Sequence, residues 1–175
     1  MEEAARNNEK LQPVKYHQVF MLLGSNIGDR KHHLTVAKNL IKLNIGRIEK
    51  VSSVYNTEPW GVTEHPDYLN QVVEVRTSLT PEAVLGACID IEEHFDRVRS
   101  NVTLPRKMDI DILFYGSLTQ SDKNLIIPHP RLHLRRFTLI PLAEIAPDLE
   151  HPVFHLSVDV LLKRCSDNSR VVKID

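Results

Sequence analysis

Asp109 and Asp111 stand two residues apart in the run Arg106-Lys107-Met108-Asp109-Ile110-Asp111-Ile112-Leu113. The stretch reads as a strand, and side chains at i and i+2 of a strand share a face. The two carboxylates therefore face one way, while Ile110 and Ile112 face a core. Carboxylates that close repel each other unless a cation lies between them. Mg²⁺ suits the position, because it is hard, takes oxygen ligands and keeps sites open for water and phosphate. Arg106, just upstream, could neutralise phosphate oxygens. The local chemistry is that of metal-assisted phosphoryl transfer. On spacing alone, a strand end held by ordinary salt bridges fits as well, because Asp-x-Asp is a short pattern.

Two basic clusters flank this strand in the chain, Arg97-Val98-Arg99 on one side and Arg131, Arg135 and Arg136 on the other. The planar fork of arginine matches phosphate with paired hydrogen bonds. Any one of these residues alone reads as solvated surface charge. His129 sits between Pro128 and Pro130, outside any helix interior, and its ring could donate a hydrogen bond to phosphate. The spacings His129-x-x-x-His133 and His151-x-x-x-His155 would suit zinc on a helix, but prolines interrupt both and no cysteine or carboxylate completes either set. Tyr55-Asn56-Thr57-Glu58-Pro59-Trp60-Gly61 and Asp67-Tyr68-Leu69-Asn70 bring aromatics and amides together. A flat heterocycle could stack on such rings and pair with such amides, and a hydrophobic loop anchor fits equally. Gly24-Ser25-Asn26-Ile27-Gly28 lacks the features of a phosphate loop and reads as a tight strand-to-helix turn.

Elements must hold these residues. Val19–Leu23 is an unbroken apolar run, as in a buried central strand. Asp29 caps a helix over 30–43, with Leu34, Ala37, Leu40 and Ile41 on its apolar stripe. Strands are expected at Arg47–Tyr55, Asn70–Ser78 and Asp109–Tyr115, with a Pro- and Gly-containing loop over Thr57–Tyr68. Thr80-Pro81 opens a second helix with a cap followed by proline. Val84, Leu85, Cys88, Ile91, Glu92 and Phe95 share its inner face, where the carboxylate of Glu92 is out of place. Ser100–Pro105 is a loop, 116–127 a weak hairpin, and Phe137–Ile145 and Ser157–Lys163 are short helices. Strands and helices mix without strict βαβα alternation, which predicts an α+β sandwich.

The chain has 175 residues, 42% hydrophobic and 26% charged, consistent with one soluble globular domain over 17–175 behind a polar leader at 1–16. Its formal net charge of −1 argues against a general nucleic-acid binder. Two cysteines make no disulfide framework, no run reaches membrane-spanning length, and the N-terminus lacks a signal peptide's apolar segment. A cytoplasmic protein, monomeric or weakly self-associating, with no nucleic-acid or membrane partner is expected.

In order along 20–152, these stretches together resemble the 6-hydroxymethyl-7,8-dihydropterin pyrophosphokinases of the folate pathway. The matching segments are Leu23-Gly24-Ser25-Asn26-Ile27-Gly28-Asp29-Arg30, Tyr55–Gly61, Pro66–Asn70, Pro105–Leu113, Pro128-His129-Pro130-Arg131, Arg135-Arg136-Phe137 and Glu144–Leu149. The resemblance implies a ferredoxin-like αβα sandwich with a mainly antiparallel sheet. It implies transfer of diphosphate from ATP to the pterin hydroxymethyl group, releasing AMP, with two Mg²⁺ ions held by Asp109 and Asp111. By the same resemblance, Arg97 and Arg106 are catalytic. Glu92, Arg99, Ile112, His129 and Arg135 meet ATP. Thr57, Trp60, Tyr68, Asn70 and Phe137 meet the pterin. The chain departs from the family pattern at Leu104-Pro105-Arg106-Lys107, where Gly-Pro-Arg-Thr is usual, and at Asp96-Arg97, where Gly-Arg is usual. It also has no tryptophan between Arg99 and Arg106. These departures leave open a paralogue that binds pterin or nucleotide without efficient turnover.

Overall fold

The computed structural model describes residues 13–60, 65–96 and 105–174. Strand β1 (His17–Ser25) is followed by α1 (Arg30–Asn44), β2 (Arg47–Val51), β3 (Val54–Thr57), β4 (Tyr68–Thr77) and α2 (Pro81–His94). Then come β5 (Asp109–Tyr115), the two-residue strands β6 (Gln120–Ser121) and β7 (Ile126–Ile127), a 3-10 turn at Leu132–Leu134, α3 (Arg136–Ile145), α4 (Val158–Arg164) and β8 (Val171–Ile174). The main sheet has the order β5-β1-β4-β3-β8, with β2 also on β4. Every pairing in it is antiparallel.

The parity of each strand decides which face a residue meets. Val19, Met21 and Leu23 of β1 pack with Val73, Val75, Ile110 and Ile112 against the inner stripes of α1 and α2. Phe20, Leu22, Val72 and Leu113 pack on the other face against Leu139 and Leu142 of α3 and Val158 and Leu161 of α4. The fold is thus an αβα sandwich, and β1 is apolar on both faces because helices cover both. The helix starts follow the sequence. Asp29 Oδ1 accepts from His32 N at 3.0 Å, and Thr80 Oγ1 accepts from Ala83 N at 3.3 Å.

The expected strand over Arg47–Tyr55 is two strands. Its register slips between Ile48 and Lys50, and the ladder is broken at Ser52. There the Ser52 hydroxyl accepts from Val72 N at 2.9 Å, and Gln71 Nε2 donates to Ser52 O at 2.7 Å. Side chains thus replace part of the backbone ladder, and the strand bends so that β3 can carry Tyr55 and Thr57 alongside Asn70 and Tyr68. Strand β4 begins at Tyr68, two residues earlier than expected, because β3 is there to pair with it. Strand β8 was not expected. It is short and half-exposed, and it docks on β3 from Val54↔Ile174 to Thr57↔Val171. The hairpin over 116–127 is present as the β6–β7 pair. Of the expected leader, residues 1–12 lie outside the described residues, and 13–16 form no regular element. Among the described residues, no helix is long and apolar enough to cross a membrane.

Candidate active site

The face that α3 and α4 cover is left open at one end of the sheet. Leu22 and Gly24 of β1, Tyr68 and Asn70 of β4, and Asp109 and Asp111 of β5 all have the parity of that face, and all line a cleft of about 500 Å³. The sequence-predicted carboxylate pair therefore does point the same way, away from the core that takes Ile110 and Ile112. Gly24 lets the cleft side chains approach β1 closely. A Cβ there would lie 3.0 Å from Asn70 Oδ1 and 3.9 Å from Asp109 Cβ, in the floor of the cleft.

Each carboxylate has an arginine. Arg106 Nη1 lies 3.1 Å from Asp109 Oδ2, and Arg135 Nη1 lies 3.5 Å from Asp111 Oδ2. Burial disfavours the charged form of Arg106, but Asp109, Tyr68 and Asp111 outweigh it and hold its pKa above the ordinary value. Burial prevails at Arg135 and lowers its pKa, against the pull of Asp111. Arg106 is held in place by the end of β1. Asn26 Oδ1 accepts from Arg106 N at 2.7 Å, and Asn26 N donates to Arg106 O at 3.1 Å.

His129 reaches the cleft because its backbone N donates to Leu113 O of β5 at 3.0 Å. Its ring Nδ1 accepts from Arg131 N at 3.2 Å, so the neutral ring carries its proton on Nε2. Burial, with the charges of Arg135 and Arg131, pushes its pKa down to about 4, and the ring is neutral at physiological pH. The Nε2–H and the Arg135 guanidinium thus face the same space, 3.5 Å apart, as two donors. The buried Nε of Arg135 has no acceptor among the described residues.

Aromatic and amide side chains line the same cleft. Asn70 Nδ2 donates to Thr57 Oγ1 at 2.7 Å, across the β3–β4 pair. The Trp60 ring lies 5.0 Å from the Arg135 guanidinium, and Phe137 lies 5.5 Å from it. Phe137, in the first turn of α3, shares the cleft with Tyr68.

Ten of the residues expected at the site thus line one cleft: Thr57, Trp60, Tyr68 and Asn70, then Arg106, Asp109 and Asp111, then His129, Arg135 and Phe137. Two lie off it. Ile112 turns into the core under α1 and α2. Glu92 is buried behind β5, where its Oε1 accepts from Ile110 N at 2.8 Å. That contact explains a carboxylate on the inner face of α2. β5 is the edge of the main sheet, and Glu92 satisfies an N–H between the two aspartates that no strand can take. Arg97 and Arg99 lie outside the described residues. The lining also includes Leu22, Gly24 and His65, which sequence reasoning did not single out. For Gly24, the signal was its place in the strand-to-helix turn.

Two of the departures from the family pattern meet each other. Lys107 Nζ lies 2.7 Å from Asp96 Oδ2, and Lys107 does not line the cleft. Asp96 has φ +59°, a left-handed backbone that glycine adopts freely and aspartate tolerates.

Fold and cleft together define an α+β sandwich with a charged, aromatic-lined cleft at one end of its sheet, and comparison with known proteins gives its family. Residues 20–147 match the family model described as 7,8-dihydro-6-hydroxymethylpterin-pyrophosphokinase. The 2-amino-4-hydroxy-6-hydroxymethyldihydropteridine pyrophosphokinase of Methylorubrum extorquens is 42% identical over 133 residues, covering 75% of this chain and 84% of that protein. The protein of the same name from Bacillus subtilis is 40% identical over 132 residues, covering 75% and 79%. The folic acid synthesis protein fol1 of Schizosaccharomyces pombe is 35% identical over 83% of this chain, which matches only 20% of that longer protein. A Plasmodium falciparum HPPK-DHPS crystal structure superposes with a TM-score of 0.72 at 18% identity, over 86% of this chain and 43% of that one. The chain thus spans less than half of that solved protein, and the likeness carries the fold. The chain belongs to the 7,8-dihydro-6-hydroxymethylpterin-pyrophosphokinase family.

Proposed function

We propose that the protein transfers diphosphate from ATP to the hydroxymethyl group of 6-hydroxymethyl-7,8-dihydropterin in folate biosynthesis, releasing AMP, with Mg²⁺ at Asp109 and Asp111. The observation that carries this reading is the convergence of a carboxylate pair, two arginines and a neutral histidine with aromatic and amide side chains on one cleft. The donor set fits the metal. Mg²⁺ is commonly held by one or two carboxylates, with substrate phosphates and water completing its shell. Asp109 and Asp111 are each about a quarter to a third exposed and open on the cleft. When held by Asp109 and Asp111, Mg²⁺ would offset the negative charge that develops on the phosphate oxygens.

The chain's own residues supply the rest. The His129 Nε2–H and the Arg135 guanidinium, whose Nε has no acceptor of its own, make an anion-binding pair for the nucleotide phosphates. Arg106, paired with Asp109, is placed to shift from that carboxylate to a phosphate oxygen as the charge on the site rises. Asn70, oriented by Thr57, reads the hydrogen-bonding edge of the pterin, and Tyr68 and Phe137 flank its ring. Two substrates held side by side gain the advantage of proximity, and the pterin hydroxyl attacks the β-phosphorus while AMP leaves.

The test is AMP release from ATP and Mg²⁺, with and without the dihydropterin. Pterin-dependent AMP supports the proposal. AMP at background, from protein shown by calorimetry to bind both ligands, would favour the binding-only paralogue.

A further inference from the structure

The hairpin ladder between β3 and β4 ends at Thr57↔Tyr68, so Glu58 and Asp67 are the first residues past it. Nothing in the ladder holds them together, yet Trp60 of the cleft wall lies two residues past Glu58, and Tyr68 follows Asp67 directly. Arg170, the residue before β8, holds both. Its backbone N donates to the Glu58 carboxylate, and Glu58 N donates back to Arg170 O at 3.3 Å. Its guanidinium Nη2 donates to Asp67 Oδ2 at 2.7 Å. Because β8 pairs with β3 and β3 with β4, the side chain crosses over β3 to reach Asp67. Neighbouring strands lie roughly 5 Å apart, so the long arm of arginine suits the span. Asp67 is a hub, since Asn56 Nδ2 also donates to its carboxylate at 2.6 Å and Arg30 Nη1 to its carbonyl at 2.7 Å. Burial alone would raise the Asp67 carboxyl, but the Arg170 and Asn56 hydrogen bonds outweigh it and hold its pKa low.

We propose that Arg170 is a positioning residue for the pterin side of the cleft, clasping Glu58 to Asp67 and thereby setting the separation of Trp60 and Tyr68. The inference rests on the reading of that wall as the pterin subsite. Arg170 lies outside residues 20–147, the span that matches the family model, and its side chain does not line the cleft. It acts only through the residues that it ties.

The test is Arg170→Ala and Arg170→Lys in the full chain. The alanine variant keeps the backbone bonds to Glu58 and loses the bridge to Asp67. Its KM for the dihydropterin should rise roughly three- to tenfold, with kcat and the KM for ATP within about twofold of wild type. The lysine variant, which keeps the charge without the planar fork, should fall between the two. Trp60 is the chain's single tryptophan and gives a second readout. Its fluorescence should be more readily quenched by acrylamide in Arg170→Ala than in wild type. An unchanged pterin KM with unchanged quenching overturns the proposal, even if the melting temperature falls. Parallel loss of kcat and of affinity for both substrates also overturns it, because that marks general damage to the fold. If the wild-type protein makes no AMP, the proposed function fails, and the Trp60 quenching still decides the clasp.

Discussion

Arg106 Nη1 lies 3.1 Å from Asp109 Oδ2, three residues along the same chain segment, and so one member of the carboxylate pair has a counterion supplied by its own strand end. Arg135, from the start of α3, serves Asp111 in the same way at 3.5 Å. In the proposed reading, an arginine drawn toward phosphate leaves its carboxylate more open to Mg²⁺, and Mg²⁺ on the carboxylate weakens its hold on the arginine. Metal and nucleotide should bind together. Calorimetric titration with Mg²⁺ alone should show weak binding, tightened at least tenfold by a non-hydrolysable ATP analogue; equal Mg²⁺ affinity with and without the analogue would refute the coupling.

His129 ties acid stability to the site. Its pKa is about 4 in the folded protein against an ordinary 6.5, because burial and two arginines disfavour the imidazolium. A base with a lowered folded pKa is protonated first in the unfolded chain. The stability it contributes is therefore complete above pH 6.5 and is lost as the pH falls to about 4. The loss is on the order of 2–3 kcal/mol for this group, at about 1.4 kcal/mol per tenfold change in proton affinity. Urea unfolding at pH 7 and at pH 4.5 should show His129→Gln losing less stability between the two than wild type. His151, also lowered to about 4, accounts for dependence common to both proteins. Identical losses would show that His129 is not buried as described.

Lys107 should be dispensable for chemistry. It pairs with Asp96, whose side chain is 82% exposed, and exposed pairs contribute about 0–1 kcal/mol. Lys107→Ala should keep turnover within about threefold of wild type. A hundredfold fall in kcat would instead place Lys107 on the substrate phosphates.

Gly24→Ala tests the floor of the cleft. The added methyl would press on Asn70 Oδ1 and approach Asp109, and those two side chains serve different substrates in the proposed reading. The KM for the dihydropterin should rise about tenfold or more, because a small misplacement at a reacting centre is costly. Wild-type steady-state constants in this variant would mean that the cleft floor is looser than described.

Much of this arrangement could be read from local pattern. The apolar run of β1, the cap-proline start of α2 and the alternation around Asp109 and Asp111 each depend on a few neighbouring residues. What was not legible depends on partners far along the chain. The break at Ser52 exists because its hydroxyl finds Val72 N on β4. Strand β8 is four residues of weak alternation whose one strand partner among the described residues is β3. Glu92 was visible as an anomaly on an apolar helix face, but its partner, the N–H of Ile110, follows from the position of β5 at the sheet edge. The Lys107–Asp96 pair and the Arg170 bridge likewise join residues that no periodicity connects.

The proposed role of Asp109 and Asp111 is to organise transfer of two phosphates at once. It is tested most directly by following the reaction of ATP, Mg²⁺ and 6-hydroxymethyl-7,8-dihydropterin by phosphorus NMR, with wild type and Asp111→Asn side by side. That role predicts AMP and a pterin diphosphate in equal amounts from wild type. It predicts at least a hundredfold loss of rate in Asp111→Asn, with the melting temperature little changed. ADP with a pterin monophosphate, or wild-type rates in Asp111→Asn, would contradict it.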